Sequence, residues 1–378
     1  MTARDRLLGS LRCQAVDRIP VSPFIWVNYI NWFLSAGFTL QDEELDEKVL
    51  DVSRQIGFDP VVRTCGAHSG NTLEPAPGWD VRTEHSSLSP NDRVEKIIIQ
   101  TPKGPLSQTR RMTRVNAYDE LAAESEHFIK TLQDLELFMR HQPEIDAPDL
   151  SRITRCRRMV GDDGITAPWL QGVFNTCARL AGLENLMVWA CDQPEEYRRF
   201  MAYTVKRTAA RGAQMARAGA DVISFEGNMA TATMVGPSFY REFVLEYERD
   251  AIREIRSAGA EVLYHNCGDC NALLGVYNEL GISALESLTP PPFGDCDIRG
   301  AKAVLSKDIA VSGNIDQIEF LLRASPGEVY ASARELLGLW KDRGGFILAT
   351  SDYLMEGTPI ENLKALVDSV HDFGRYEA

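Results

Sequence analysis

The chain has 378 residues, of which 44% are hydrophobic and 25% are charged. This composition is typical of a globular protein and excludes disordered, collagen-like and disulfide-scaffold chains. The 54 Asp and Glu residues outnumber the 40 Lys and Arg residues, and the formal charge of −14 makes nucleic acid and anionic membranes unexpected partners. Eight scattered cysteines, behind an opening that lacks an apolar signal core, predict a cytoplasmic chain with reduced thiols.

One uncharged stretch, from Ile19 to Gln41, has the length of a membrane span. Pro20, Pro23, Asn28 and Asn31 interrupt it, which is unfavourable for a spanning helix. We therefore predict a buried strand followed by residues that line a pocket.

Short apolar runs rich in β-branched residues alternate with longer amphipathic segments, a pattern of βαβ units around a parallel sheet. The eight runs are Ile19–Trp26, Asp59–Arg63, Ile165–Trp169, Asp221–Glu226, Glu261–His265, Ser283–Glu286, Ile309–Gly313 and Gly345–Ala349. The helical patterns include Pro194–Ala218, Pro237–Ala258, Cys270–Leu280, Ser325–Lys341 and Thr358–Phe373. This pattern predicts an α/β fold, a single (β/α)8 TIM barrel domain over residues 1–378 with an N-terminal extension.

The interval from Pro75 to Ala117 does not fit the alternation of strands and helices that a barrel requires. Turn-rich GWD and SPND segments surround the alternating run Val94–Gln100, which favours a β-hairpin insertion at residues 75–117. Such an insertion could cover the mouth of the barrel, or it could be a peripheral hairpin without a role in the site.

The sharpest chemical pattern is His265-Asn266-Cys267, at the end of the run Glu261–His265. Alternation along a strand points His265 and Cys267 to the same side, so that an imidazole and a thiolate can share one metal ion. The active sites of these barrels lie at the carboxyl ends of the strands, which is where this pair is predicted to be. The alternative is a buried core histidine beside inert cysteines.

A catalytic zinc ion needs at least three protein ligands, so a further residue is required. The candidates are Glu226, Cys270 and Asp352, each of which follows an apolar run. Glu226 and Asp352 are also candidate catalytic carboxylates. The alternatives are an Arg-paired or helix-capping role for Glu226, an Asx turn for Asp352 and a helix start for Cys270.

Other polar and aromatic residues after the runs are candidates for substrate binding. They are Trp26, Asn28, Trp169, Asn228 and Asn314. Cys65 and His68 make no catalytic triad and are interpreted as pocket lining.

Several segments together resemble the uroporphyrinogen decarboxylase superfamily, and within it the zinc-dependent methyltransferases that exchange methyl groups with corrinoid proteins. The segments are DRLLGSLRCQAVDRIPVSPF, TAPWLQGVF, AGADVISFEGN, the Pro237 to Tyr240 tetrapeptide, YHNCGD, VSGNID and GGFILATSDYLMEGTPIENLKALVD. The decarboxylases resemble one another in an N-terminal Arg-Gln-Ala-Gly-Arg-Tyr segment and a His before the final Thr-Pro. This chain has VSPFIWVNYINW and Asp352 at those places, which disfavours an octa-anionic porphyrinogen as substrate.

The methyltransferases are similar to this chain at His265 and Cys267, and in them a second cysteine before the last helix completes the zinc site. Asp352 stands at that place here, so Asp352, Glu226 or Cys270 must complete the ligand set. A site with fewer thiolates is a stronger Lewis acid, which suits the polarisation of a methoxy oxygen.

Together with the resemblance, this ligand set predicts an O-demethylase methyltransferase that transfers a methyl group from a small methoxylated aromatic compound to cobalt(I). Phe24, Trp26, Tyr29, Trp32 and Trp169 could hold such a ring, or could be core residues. No Asp-x-His-x-x-Gly signature is present, so the cobalamin is expected on a partner corrinoid protein. The alternatives are a decarboxylase or other lyase and a non-catalytic corrinoid-binding or chaperone-like module; a homodimer is also possible.

Overall fold

A computed structural model describes residues 1–35, 42–66, 73–144 and 149–376. The strands assigned within these ranges are β1 Val61–Val62, β2 Asp80–Ser87, β3 Asp92–Thr101, β4 Gly104–Arg114, β5 Glu120–Glu126, β6 Ile165–Thr166, β7 Trp169–Gln171, β8 Val222–Glu226, β9 Glu261–Asn266, β10 Ala284–Ser287, β11 Ala310–Ile315 and β12 Phe346–Thr350.

The helices follow the same chain order. They are α1 Ala3–Leu11, α2 Val27–Phe33, α3 Asp42–Ile56, α4 Leu132–His141, α5 Ser151–Val160, α6 Val173–Ala181, α7 Leu183–Asp192, α8 Pro194–Arg217, α9 Gly236–Phe239, α10 Leu245–Ser257, α11 Leu274–Tyr277, α12 Ile298–Val304, α13 Pro326–Trp340 and α14 Ile360–Phe373. Among these described helices, none is both long enough and apolar enough to cross a bilayer.

Parallel strands form a closed barrel with eight strand positions, each of which we call a stave. Strands β7 to β12 make one parallel sheet in chain order, and β1 pairs in parallel with β6. Val21 forms a parallel bridge with Leu348 of β12, and its carbonyl accepts the N–H of Asp59 at 2.8 Å, so the segment around Val21 lies between the last strand and β1. The segment containing β6 and β7 is a single stave. All eight predicted runs therefore contribute a stave, and the predicted barrel is confirmed.

Helix α1 forms the N-terminal extension. Its Leu7, Leu8 and Leu11 are buried against residues that the strands point inward, including Leu263 and Ile347. Thr2 caps the helix, since its hydroxyl accepts the N–H of Asp5 at 3.1 Å. Through its three buried leucines, the helix packs against the interior of the barrel.

The insertion is larger than the predicted hairpin at residues 75–117. Strands β2 to β5 form a four-stranded antiparallel sheet in chain order that ends at Glu126. Strand β5 has the sequence ELAAESE and no fully buried residue, so it lacks the apolar alternation that identifies a strand. Ile97 and Ile99 of β3 belong to the same apolar cluster as residues of the barrel helices.

Two predicted helices differ in detail from the structure. Cys270–Leu280 contains only a 3-10 turn, Asn271–Leu273, and the single-turn helix α11. Pro237–Ala258 is helical over its length but includes a π-helical turn, Tyr240–Val244. Periodicity alone does not distinguish these variants from a regular α-helix.

Candidate metal centre

The candidate site lies at the carboxyl ends of the barrel strands. His265 is in β9 and Cys267 directly follows this strand, while Asp352 lies two residues beyond β12. His265 is buried, and Cys267 and Asp352 are half-buried. Strands distant in sequence thus bring these three side chains to one end of the barrel.

One ligand atom from each of His265, Cys267 and Asp352 lies within 4.8 Å of the other two. The ligands of a tetrahedral zinc ion, at 2.0–2.3 Å from the metal, are separated by about 3.3–3.8 Å. Small side-chain movements would therefore bring the three atoms to coordination distance. The donor set of imidazole, thiolate and carboxylate is one that zinc accepts, and three protein ligands leave a position for substrate.

Asp352 is oriented by its own backbone turn. The N–H of Tyr353 donates to Oδ1 of Asp352 at 2.8 Å. This contact reaches the next residue, whereas the predicted Asx turn requires the N–H two residues on. The same carboxylate belongs to the cluster.

A buried ion pair lies behind His265. The Nδ1 atom of His265 is 3.0 Å from Oε2 of Glu286, its neighbour in register on β10. Arg63, directly after β1, donates to both carboxylate oxygens of Glu286 and to the hydroxyl of Ser224 at 3.0 Å. Because an ionised Glu286 can only accept, Nδ1 of His265 carries a proton, and in the neutral imidazole the lone pair is therefore on Nε2.

The charges of this network favour protonation of the imidazole when no metal is bound. Burial opposes charge on His265, but hydrogen bonds to Cys267 and Glu286 outweigh it and raise the His265 pKa well above its usual range. Burial also disfavours the ionised form of Glu286, yet Arg63 and His265 hold the Glu286 pKa below its usual value. The site therefore favours a cation among its anionic groups.

Aromatic rings form a wall beside the imidazole. The ring of Trp169 lies 5.0 Å from that of His265, edge to face, and Phe24 lies 6.0 Å from it. Phe24 also contacts Trp26, Trp169 and Tyr353, with ring centroids 5.6–6.2 Å apart. We call Phe24, Trp26, Trp169 and Tyr353 the aromatic wall.

The sequence profile of the family described as Uroporphyrinogen decarboxylase (URO-D) matches residues 126–373, well over half of the chain. The chain belongs to the uroporphyrinogen decarboxylase family. The match begins at the end of β5, so it includes the barrel from β6 onward and leaves out β1 and nearly all of the insertion. The family resemblance expected from the motifs is confirmed.

Methyltransferases are among the proteins to which this chain is similar. Methylated-thiol--coenzyme M methyltransferase of Methanosarcina mazei is 28% identical over 200 residues, which is 53% of this chain and 51% of that relative. Methylcobamide:CoM methyltransferase MtbA of the same organism is 24% identical over 384 residues, 98% of each chain. A solved methyltransferase from Methanosarcina mazei superposes over 99% of both chains with a TM-score of 0.73 and 20% identity, which establishes the barrel fold. The match to the first relative spans about half of its length.

Two other predicted ligands of this family member lie outside the cluster that the described residues form. The carboxylate of Glu226 is 3.5 Å from Nη2 of Arg179. Cys270 is fully buried, and its backbone N–H donates to Asp295 at 2.7 Å. A hydrogen bond to Cys296, with burial, raises the Cys270 pKa and keeps the thiol protonated. The Arg-paired alternative for Glu226 is thus the arrangement that is observed.

The five predicted substrate residues divide into two groups. Trp26 and Trp169 belong to the aromatic wall. The three asparagines contact nearby protein groups: Nδ2 of Asn28 donates to the Leu354 carbonyl at 3.1 Å, Oδ1 of Asn228 accepts from Asn175 at 2.8 Å, and Nδ2 of Asn314 donates to the Leu288 carbonyl at 3.1 Å.

The remaining predicted pocket residues lie apart from the aromatic wall or outside the residues that the structure describes. Tyr29 and Trp32 pack on each other with centroids 5.5 Å apart, in α2. Cys65 is fully buried and contacts Cys156, a contact that raises the Cys65 pKa together with burial. His68 lies outside the described residues.

Arg63 and the pairing of Glu286 with His265 were not predicted from the sequence. A signal was present, because both charged residues end predicted buried runs, where an unpaired charge is costly. Their opposite signs indicate an ion pair, but only the closed barrel shows that the pair contacts His265.

Proposed function

We propose that this chain is a zinc-dependent methyltransferase that moves a methyl group from a small methoxylated aromatic compound to the cobalt(I) of a partner corrinoid protein. The observation that carries the proposal is the cluster of His265, Cys267 and Asp352. Nε2 of His265, the thiolate of Cys267 and the carboxylate of Asp352 would hold the ion. Bound zinc would supply Lewis acidity toward the ether oxygen of the donor.

The ligand chemistry favours an ether over a thiol as the reacting group. The methyltransferases that the sequence resembles use two cysteines, whereas this cluster has one thiolate and one carboxylate. A carboxylate donates less electron density than a thiolate, so the site is harder and better matched to oxygen. In its donor, the chain is therefore proposed to differ from the relatives that are named for a methylated thiol or for coenzyme M.

The aromatic wall supplies the binding surface for the donor ring. Edge-to-face contacts of Trp169 with His265 place an indole beside the proposed ligand, so that a ring bound on the wall lies next to the cluster. The wall also excludes water from one side of the reacting group. In the reaction the methyl C–O bond breaks, a Co–C bond forms, and the oxygen keeps the electron pair and takes one proton from solvent.

The corrinoid is proposed to arrive on a separate protein. A similar protein is named methylcobamide:CoM methyltransferase, with a corrinoid as one of the two compounds that exchange the methyl group, which supports a corrinoid partner here. The strand ends that carry the cluster face the mouth of the barrel, the end at which active sites of such barrels are reached.

The test is single-turnover methyl transfer under anoxic conditions. Zinc-loaded protein is mixed with cob(I)alamin and a methoxylated benzoate, and formation of methylcobalamin is followed by absorbance. We expect transfer from the aromatic ether and little from a methyl thioether. Transfer from the thioether alone would contradict the proposed donor class, and decarboxylation of a carboxylated substrate without zinc would favour the lyase alternative.

A further inference from the structure

We propose that Glu286 and Arg63 are positioning residues for the metal centre. Glu286 fixes the tautomer and direction of His265, and Arg63 holds the Glu286 side chain in place. The inference rests on the proposed function, because it assigns His265 as a ligand.

The contacts leave the imidazole one orientation. Nδ1 of His265 is 3.0 Å from Oε2 of Glu286 and 3.2 Å from the hydroxyl of Ser287. Both partners are fully buried, so water does not replace them. A histidine that ligates a metal through one nitrogen commonly donates its other N–H to a carboxylate, which orients the ring and makes the ligating nitrogen more basic.

Arg63 compensates the charge of Glu286. The guanidinium donates to both carboxylate oxygens, and the side chains of Arg63 and Glu286 are 3% and 2% exposed. A buried ion pair contributes little net stability compared with apolar packing, so stability alone does not account for this pair. Its contact with His265 gives it a role that an apolar pair could not fill.

Arg63 also links the centre to the aromatic wall. Its guanidinium carbon lies 4.4 Å from the ring centroid of Phe24 and 5.8 Å from that of Trp169. Cation–π attraction at these distances holds the rings against the same group that holds Glu286. The position of the wall and the direction of His265 therefore depend on one side chain.

The experiment compares zinc affinities of full-length variants by competition with a chromophoric chelator. Glu286→Gln keeps the size of the side chain but removes its charge, and Arg63→Met removes the compensating cation. We expect each to weaken zinc binding about 10–100-fold. Because Arg63 acts through Glu286, the double variant should lose no more affinity than Glu286→Gln alone.

Asp59→Asn is the matched control. Asp59 is a buried carboxylate held by Arg6 at 2.7 Å and by Arg18 at 2.8 Å, at the other end of the stave that carries Arg63. Its loss should lower the thermal midpoint and leave zinc affinity unchanged. If Glu286→Gln does not fold, Glu286→Asp retains the charge but shortens the side chain, and it should also weaken binding.

The visible spectrum of the cobalt(II)-substituted protein is the second readout. The thiolate-to-metal charge-transfer band should persist in Glu286→Gln, because Cys267 is intact, while the ligand-field bands shift as the imidazole is reoriented. Wild-type zinc affinity and an unchanged spectrum in Glu286→Gln would overturn this inference alone. Wild-type protein that binds no zinc would instead overturn the proposed function.

Discussion

Val21 and Leu348 pair as parallel neighbours and close the barrel between the first and last staves. Because parallel strands run in register, the residues that follow them also meet, and the N–H of Phe24 donates to the hydroxyl of Thr350 at 3.0 Å. Phe24 begins the aromatic wall, and Asp352 follows Thr350 by two residues. Closure of the barrel therefore places the wall beside the metal cluster.

This relationship predicts the effect of Thr350→Val, which removes the hydroxyl and leaves the buried N–H of Phe24 without its partner. We expect the free energy of unfolding to fall by about 1–3 kcal/mol, because an unsatisfied buried donor costs this much. Urea denaturation measures the change. Thr350→Ser retains the hydroxyl and loses only a methyl group, so it is the control; a loss in Thr350→Val no larger than that in Thr350→Ser would contradict this role of the hydrogen bond.

Asp352→Ala should impair metal binding far more than stability. Asp352 is half-buried and makes one local hydrogen bond, so its removal should change the free energy of unfolding by only about 1 kcal/mol. Loss of a ligand should instead raise the barrier to methyl transfer by several kcal/mol. Zinc content, thermal midpoint and single-turnover rate together measure these effects.

Two further variants test the same assignment. Asp352→Cys should retain zinc but transfer methyl groups from ethers more slowly, because a second thiolate softens the ion. Glu226→Gln should retain stoichiometric zinc, since Glu226 pairs with Arg179 outside the cluster. Loss of zinc from Glu226→Gln, with zinc retained in Asp352→Ala, would reverse the two assignments.

Trp169→Leu should weaken donor binding while leaving the zinc content unchanged. The indole lies 5.0 Å from His265, and its loss removes most of one side of the wall. We expect KM for the methoxylated aromatic compound to rise about tenfold, or about 1.4 kcal/mol. Trp32→Leu removes an indole that packs in α2 and should leave this KM unchanged. Equal increases in both variants would remove the wall from the donor site.

The barrel was predictable because each stave carries a short apolar run. Such a run can be recognised in the sequence before the order of the strands in the sheet is known. His265 and Cys267 were predictable because strand alternation is a local property. The choice of Asp352 among three candidates was not, because it depends on which strand ends meet across the barrel. Strand β5 and the contact of Arg63 with Glu286 were missed for the same reason: an exposed strand has no apolar signature, and an ion pair joins residues that are 223 positions apart.

Glu248, which lies outside the metal centre, should make the free energy of unfolding depend on pH. It is fully buried in α10 and accepts the N–H groups of Val173 and Phe174 at 2.9 and 3.0 Å. Burial raises the Glu248 pKa to about 7, despite these two hydrogen bonds. Between about pH 4.5 and 7 the folded chain therefore holds a proton that the unfolded chain has released, and stability falls as the pH rises through this window.

The corresponding measurement is the thermal midpoint of wild-type protein and Glu248→Gln from pH 5 to pH 8. The variant cannot ionise, so the difference between the two proteins isolates this group. We expect wild type to lose up to about 3 kcal/mol relative to the variant as the pH rises to about 7, and no more above that. A difference that does not change with pH would contradict the raised pKa.

The metal centre itself is tested most directly by zinc K-edge X-ray absorption of the zinc-loaded protein. The cluster of His265, Cys267 and Asp352 predicts one sulfur ligand at about 2.3 Å, with the remaining ligands nitrogen or oxygen at about 2.0–2.2 Å. The Cys267→Ser variant should lose the sulfur contribution altogether. Two or more sulfur ligands, or none in the wild-type protein, would contradict the single-thiolate centre on which the proposed ether chemistry depends.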